Sequence, residues 1–153
     1  PDALIGSVER LQQNLFICAP SLSQHAALAA LEPEAEAEAE VYRIAYRCNR
    51  DKLVAALTRL GFGPIAPADG AFYIYAGVEA FGRSATDLAQ DWLARYGLAV
   101  TPGTDFDAVR GEGFIRFSYA ASEADVEGAI KALEHWSGGE KLRPCGASMA
   151  RSV

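Results

Sequence analysis

Arg116 is the residue of this sequence whose type and surroundings are best suited to binding an anion. It lies in the otherwise apolar run GFIRFSY, residues 113–119, a few residues after a Pro-Gly pair. In a strand, successive side chains point to opposite faces, which predicts Phe114, Arg116 and Ser118 on one face. The other face is predicted to be apolar, and it consists of Ile115, Phe117 and Tyr119.

The guanidinium of Arg116 stays charged, so it must reach water or meet an anion. A carboxylate matches its planar fork through two parallel hydrogen bonds. The strand alone therefore leaves two interpretations open: a water-facing arginine on a half-exposed strand, or a carboxylate receptor. Because exposed strand arginines are common, the strand alone favours the first, and the rest of the chain has to decide.

Length and charge limit the classes of function. The chain has 153 residues, enough for one domain with a hydrophobic core, and its net charge of -6 gives no support for nucleic-acid or anionic-membrane binding. No apolar run approaches the ~20 residues that a membrane helix needs. The chain begins at Pro1 without a methionine, so we expect an excised piece of a longer protein.

The three cysteines, Cys18, Cys48 and Cys145, are far apart and form no Cys-x-x-Cys pair. This spacing predicts no zinc or other metal site. It predicts buried or idle thiols in a reducing compartment, and we expect a cytoplasmic protein.

The first sixty residues read as helices. The first is predicted over residues 1–15, and a second begins near Ser21 or Ser23, with Ser21 and Gln24 in the pattern of a capping box. EAEAEAE, residues 34–40, predicts the solvated start of a third helix that ends at Gly61. Its buried stripe is predicted to consist of Val41, Ile44, Cys48, Leu53, Leu57 and Leu60.

Strands follow, near residues 63–66, 71–76, 98–100 and 113–119, with one helix capped by Ser84 and another by Ser122. Pro102 and Gly103 predict a turn in which the glycine has a positive φ. This order predicts an α+β domain: a small, mainly antiparallel or mixed β-sheet with helices packed on one face.

Four stretches together carry a resemblance to a known family. They are PDALIGSVERLQQNLFICAPSLSQHAALAALE, YRIAYRCNRDKLVAALTRLGF, PADGAFYIYA and LAVTPGTDFDAVRGEGFIRFSYA. In this order and spacing they resemble the C-terminal part of the class I/II aminotransferases, which are pyridoxal-phosphate-dependent enzymes of fold type I. The resemblance covers residues 1 to about 137, and it divides the chain into a segment that leads from the large domain into the small domain (1–33), the small domain itself (34–137) and a flexible tail (138–153).

The resemblance implies an aminotransferase that moves an amino group between an amino acid and a 2-oxo acid on pyridoxal phosphate. It gives Arg116 the role of binding the substrate α-carboxylate, and it places Phe72 near the substrate, although simple core packing explains Phe72 as well. It also implies an N-terminal cofactor-binding domain and a homodimer as partners. The sequence departs from the family at Asp107, where glycine usually follows the phenylalanine, which puts the loop geometry in question.

The family's chemistry needs a lysine that forms a Schiff base with the cofactor. This chain has Lys52, Lys131 and Lys141, and none has the serine-x-x-lysine setting of relatives. We therefore expect one wall of an active site without the catalytic groups. Two alternatives stay open: a lyase of the same fold, or an effector-sensing aminotransferase-like domain of a transcription regulator. A stand-alone binding module is a third.

Overall fold

The structure is a computed structural model that describes residues 1–139, in two compact units divided between Tyr42 and Arg43. Nearly all of the predicted tail, residues 138–153, lies outside the described residues. Within residues 1–139, no helix combines the length and the hydrophobicity that crossing a membrane requires.

The first unit is helical, as predicted. It contains α1 (Asp2–Leu15), α2 (Ser21–Ala29) and the start of α3 (Pro33–Arg59). The capping box predicted for α2 is wrong, because Pro20 occupies the N-cap position and Ser21 is already helical. Gln24 instead donates from Nε2 to the carbonyl of Ala19 at 2.7 Å, which satisfies a carbonyl before the helix.

The buried stripe of α3 is shorter than predicted. Its buried residues are Asn49, Leu53, Ala56 and Leu57. Val41, Ile44 and Cys48 are exposed, so their assignment to the stripe is wrong. Among the described residues of α3, Leu53 and Leu57 belong to the hydrophobic core of the second unit, and Tyr46 and Val54 pack against it. The acidic run at the start of α3 is exposed apart from half-buried Ala35, as a solvated helix start predicts.

A three-stranded antiparallel sheet forms the centre of the second unit. Its strands are β1 (Tyr73–Gly77), β2 (Thr101–Pro102) and β3 (Phe114–Ser118), in the order β1-β3-β2. The strand predicted at residues 63–66 is only an isolated bridge between Ile65 and Ala76, where Pro64 has no N–H to extend a ladder. The strand predicted at residues 98–100 begins later, at Thr101.

Two helices complete the second unit, α4 (Ala85–Tyr96) and α5 (Glu123–Gly139). Both predicted caps are confirmed: the hydroxyl of Ser84 accepts from the amide of Asp87 at 3.1 Å, and that of Ser122 from the amide of Asp125 at 3.1 Å. Each cap satisfies an amide that the first helical turn leaves without a partner.

The core lies on one face of the sheet. Trp92 of α4 and Trp136 of α5 meet there with ring centroids 5.0 Å apart. The sheet contributes its buried side chains Ile74, Ala76, Ile115 and Phe117. The α+β class with helices on one face of a small sheet is thereby confirmed, as is the alternation in β3 that directs Ile115 and Phe117 into the core. Arg116 points to the opposite face.

Candidate functional site

The guanidinium of Arg116 lies between two aromatic rings. Its Cζ atom is 4.1 Å from the ring centroid of Tyr73 and 4.3 Å from that of Phe106. Aromatic faces attract a cation through their quadrupole, so both rings stabilise the charge of Arg116. Nη2 also donates to Oγ1 of Thr101 at 3.3 Å. The charge is thus held in one orientation without an acidic partner in the part of the chain that the structure describes.

The sheet register explains how these residues meet. β3 is the central strand, and Arg116 lies opposite Tyr75 of β1 and Thr101 of β2. Tyr73 lies opposite Ser118, so it is the diagonal neighbour of Arg116 on the same face. Only Phe106 comes from a loop, the one that follows β2.

Arg116 lines a cleft of about 300 Å³ on this face of the sheet. We call it the Arg116 cleft, and its lining residues are Ala66, Pro67, Tyr73, Tyr75, Phe106, Asp107 and Arg116. The lining is mostly apolar and contains one cation. Among residues 1–139, no acidic side chain forms an ion pair with Arg116, so the cleft is suited to an anionic group from outside.

Asp107, the one acid of the Arg116 cleft, is engaged within its own loop. Oδ1 accepts from the amides of Val109 at 2.9 Å and Arg110 at 3.0 Å, and Oδ2 accepts from Nε of Arg110 at 3.0 Å. The amide of Arg110, then that of Val109 and the Arg110 side chain lower the pKa of Asp107 below its usual value. Its charge is therefore compensated without Arg116.

Tyr75 also lines the Arg116 cleft. Its ring stacks on Phe114 with centroids 4.9 Å apart and an interplanar angle of 5°. Its hydroxyl is buried and has no hydrogen-bond partner in the described part of the chain. Burial, followed by the negative charge of Asp107, raises the pKa of Tyr75, which keeps the phenol neutral.

Gly103 differs from its predicted role. Positive φ angles occur at Gly61, Gly82 and Gly97 and not at Gly103, which begins a 3₁₀ helix (Gly103–Asp105). The prediction of a positive φ there is wrong. Residue 103 has no room for a side chain, because a Cβ atom on Gly103 would lie 2.6 Å from the carbonyl oxygen of Gly111.

The structure does not bring Phe72 into the Arg116 cleft. Phe72 is 41% exposed, its ring contacts Tyr73 at 4.3 Å, and its carbonyl accepts from the amide of Tyr119 at 3.0 Å. Its role toward a substrate stays a prediction. The sequence reasoning missed Tyr73, Phe106 and Thr101. Alternation in β1 could have placed Tyr73 on the Arg116 face, but the strand register could not be read from sequence.

Of the two expectations for the thiols, buried or idle, the first does not hold for the two cysteines that the structure describes. Cys18 and Cys48 are free and exposed, and Cys145 lies outside the described residues. Between residues 1 and 139, no cluster of three His, Cys, Asp or Glu side chains could hold a metal ion.

Arg50 of α3 has structural partners. Arg50 pairs with Asp51 at 2.7 Å and donates from Nη1 to the carbonyl of Ala68 at 3.3 Å. These contacts account for Arg50 without a phosphate ligand.

Comparison with known proteins defines the class. The model of the family "Aminotransferase class I and II" matches residues 1–133, so the chain belongs to that family. A valine–pyruvate aminotransferase of Mycobacterium tuberculosis is 42% identical over 136 residues, which are 89% of this chain and 35% of that protein. An aspartate/prephenate aminotransferase of Thermus thermophilus is 34% identical over 90% of this chain and 34% of its own length.

Solved structures agree with the fold. An aminotransferase from Mycobacterium tuberculosis superposes with a TM-score of 0.80 at 41% identity, covering 92% of this chain and 36% of that one. An aromatic aminotransferase from Pyrococcus horikoshii gives a TM-score of 0.78 at 28% identity over 88% of this chain and 36% of that one. The chain spans about a third of the length of the curated relatives it matches.

The described residues do not fit the cofactor that the family implies. Lys52 forms ion pairs with Glu123 and Glu127, and Lys131 is exposed on α5. Neither lysine lines the Arg116 cleft. Lys141 lies outside the described residues. No lysine between residues 1 and 139 is therefore placed to form a Schiff base at the cleft, and the residues described here supply only a candidate substrate-binding wall.

Proposed function

We propose that this chain is the C-terminal part of a pyridoxal-phosphate-dependent aminotransferase and that Arg116 binds the α-carboxylate of its substrates. The substrates are an amino acid and a 2-oxo acid. The observation that carries the proposal is the Arg116 cleft, where a guanidinium without an acidic partner among residues 1–139 is held between Tyr73 and Phe106. Family membership supports the reaction class.

The chemistry of Arg116 is recognition and orientation. With the rings of Tyr73 and Phe106 within 4.3 Å of Cζ, a carboxylate approaches in the plane of the N–H groups and forms two parallel hydrogen bonds. Fixing the carboxylate fixes the direction of the bonds at the neighbouring Cα, which lowers the entropic part of the barrier. The apolar lining of the cleft strengthens the ion pair by limiting water.

The remaining parts of the proposal concern the complete protein. Residues 1–33 lead from a large domain into the small domain, residues 34–137. An N-terminal domain holds pyridoxal phosphate through a lysine that this chain does not provide, and the protein works as a homodimer in the cytoplasm. The small antiparallel sheet with the core on one face supports the small-domain part only.

The test is Arg116→Lys in the full-length protein. Lysine keeps the charge but replaces the planar fork by a point charge, so we expect a raised KM for the amino acid and a kcat/KM lowered by ~10²-fold or more. Arg95→Lys is a matched control. Arg95 also lies over a ring, that of Tyr96 at 5.2 Å, but it is exposed on α4 and outside the cleft.

Unchanged kinetics of Arg116→Lys would remove the carboxylate assignment. A full-length protein that binds the cofactor but transfers no amino group to any 2-oxo acid would contradict the aminotransferase. A DNA-binding domain in that protein would then favour the regulator.

A further inference from the structure

The segment that carries Phe106 is a closed loop. We call residues 103–111 the Phe106 loop. Its two ends are in backbone contact, because a Cβ atom on Gly103 would lie 2.6 Å from the carbonyl oxygen of Gly111. The amides of Phe106 and Asp107 both donate to the carbonyl of Gly103 at 2.9 Å. The loop is thus anchored at its ends. The conformation of its interior depends on contacts within the loop.

Asp107 supplies those contacts. Its amide donates to Gly103, and its carbonyl accepts from the amide of Gly111 at 2.9 Å. Its carboxylate accepts from both Val109 and Arg110, including the guanidinium Nε of Arg110 at 3.0 Å. All four polar atoms of Asp107, the amide nitrogen, the carbonyl oxygen and the two carboxylate oxygens, therefore bond within the Phe106 loop. Charge-assisted bonds of this kind are stronger than neutral ones.

Packing against other side chains contributes little to the position of the Phe106 ring. Its side chain is 54% exposed, and it lies outside the hydrophobic core of the second unit. Its ring contacts the guanidinium of Arg116 at 4.3 Å. The position of the ring is therefore set by the backbone of the Phe106 loop and not by a surrounding pocket.

We propose that Asp107 is a positioning residue for substrate recognition: by bonding the Phe106 loop internally, it holds the Phe106 ring on one face of the Arg116 guanidinium. The ring then directs a carboxylate to the edge of the guanidinium, where two N–H groups are parallel. This inference rests on the proposed role of Arg116. It also explains why a carboxylate can line a cleft for an anion, since its charge is directed into the loop and not toward Arg116.

Asp107 gives the Phe106 loop contacts that the family's usual glycine at this position cannot make. Glycine at residue 107 leaves the loop to its backbone contacts alone. Aspartate adds a side-chain bond to Val109, one to Arg110 and an ion pair. In this chain the side chain at residue 107 therefore contributes to the order of its neighbour Phe106.

A double-mutant cycle in the full-length protein tests the proposal. The variants are Asp107→Ala, Phe106→Ala and the two combined, measured for KM and kcat with the amino-acid substrate. A cation–π contact of ~0.5–2 kcal/mol corresponds to ~2- to 30-fold in KM, and we expect Asp107→Ala to reach the lower part of that range with kcat little changed. In the Phe106→Ala background, Asp107→Ala should leave KM unchanged, because the group it positions is absent.

A conservative variant and a control variant complete the double-mutant cycle. Asp107→Asn keeps one oxygen to accept the amides of Val109 and Arg110, and it should restore KM to near the parent value. It also serves if Asp107→Ala fails to fold. Asp105→Ala is the matched control, because Asp105 is an exposed acid of the same loop that does not line the Arg116 cleft. It should change neither KM nor kcat.

The outcomes test the positioning role of Asp107 separately from the carboxylate-binding role of Arg116. An equal rise in KM for Asp107→Ala with and without Phe106 overturns the positioning role, and so does a fall in Tm with KM unchanged. Either result leaves Arg116 as the receptor if Arg116→Lys still loses activity. If Arg116→Lys is neutral, the proposed function itself fails, whatever the cycle shows.

Discussion

Gly103 and Gly111 touch through their backbones, and this contact closes the loop that carries Phe106 over Arg116. A Cβ atom on Gly103 would lie 2.6 Å from the carbonyl oxygen of Gly111 and 2.9 Å from that of Phe114. Real Cβ atoms do not approach backbone oxygens so closely, and backbone atoms cannot rotate away as a flexible side chain can. The site therefore depends on two residues that have no side chain.

Gly103→Ala should destabilise the protein and disturb the Arg116 cleft. Overpacking against backbone costs about 1–3 kcal/mol, measured as the change in unfolding free energy in urea. Gly128→Ala is the matched control, because a Cβ atom there meets nothing within 4 Å in helix α5. It should leave stability unchanged or raise it, since alanine favours a helix over glycine. Equal stability of the two variants would refute the close contact.

Thr101→Val should raise KM for the amino acid while leaving the fold intact. Valine has nearly the shape of threonine but no acceptor, so Arg116 loses the bond from Nη2 to Oγ1. A hydrogen bond of about 1 kcal/mol corresponds to about a fivefold change in KM. Thr101→Ser keeps the hydroxyl and should retain most of the parent KM. If the serine variant is as impaired as the valine variant, packing and not the hydroxyl is what matters.

Asn49→Ala should destabilise the second unit. Asn49 is 3% exposed, and its Nδ2 donates to the carbonyls of Tyr119 at 3.3 Å and Ala121 at 2.9 Å, which tie α3 to the end of β3. Removing the donor leaves the carbonyl of buried Tyr119 without this partner, at a cost of about 1–3 kcal/mol in unfolding free energy.

Asn14→Ala provides the comparison for Asn49. Asn14 makes a bond of the same kind, to the carbonyl of Arg10 at 2.7 Å, but it is exposed. Water replaces the lost partner there, and the change should stay within about 0.5 kcal/mol. Similar losses for both variants would show that burial at Asn49 does not matter.

Asp107 should make stability depend on pH in acid. Its folded-state pKa is lowered, first by the amide of Arg110 and then by that of Val109 and the Arg110 side chain. The stabilisation is therefore fully present above the unfolded-state pKa of about 3.9, and it is lost as the pH falls through the lower folded-state pKa. Asp107→Asn cannot titrate. The difference in unfolding free energy between parent and variant should shrink as the pH falls below about 4. A difference that is constant with pH would contradict this.

Much of the fold could be predicted from local sequence. The caps at Ser84 and Ser122 and the alternation of β3 involve contacts within four residues, and all are confirmed. The predictions for Ser21, for Val41 and for the φ of Gly103 are wrong. Each depends on what lies around the residue in space, which periodicity and residue type do not describe.

The sequence by itself determined that Arg116 lies in a strand on the face opposite the core. Alternation has a period of two residues, so one buried isoleucine and one buried phenylalanine fix the direction of the arginine between them. The resemblance of four stretches also indicated the family. These are properties of short segments, and they do not depend on how the segments pack.

Only the tertiary structure decided what surrounds Arg116. Tyr73 reaches it through the pairing of β1 with β3, Thr101 through the pairing of β2 with β3, and Phe106 through a loop closed by Gly103 and Gly111. Strand register and loop closure depend on contacts between segments distant along the chain, and many pairings satisfy the same hydrophobic pattern. The sequence places the charged guanidinium of Arg116 on this face of the sheet, and the tertiary contacts determine its orientation and the apolar cleft around it.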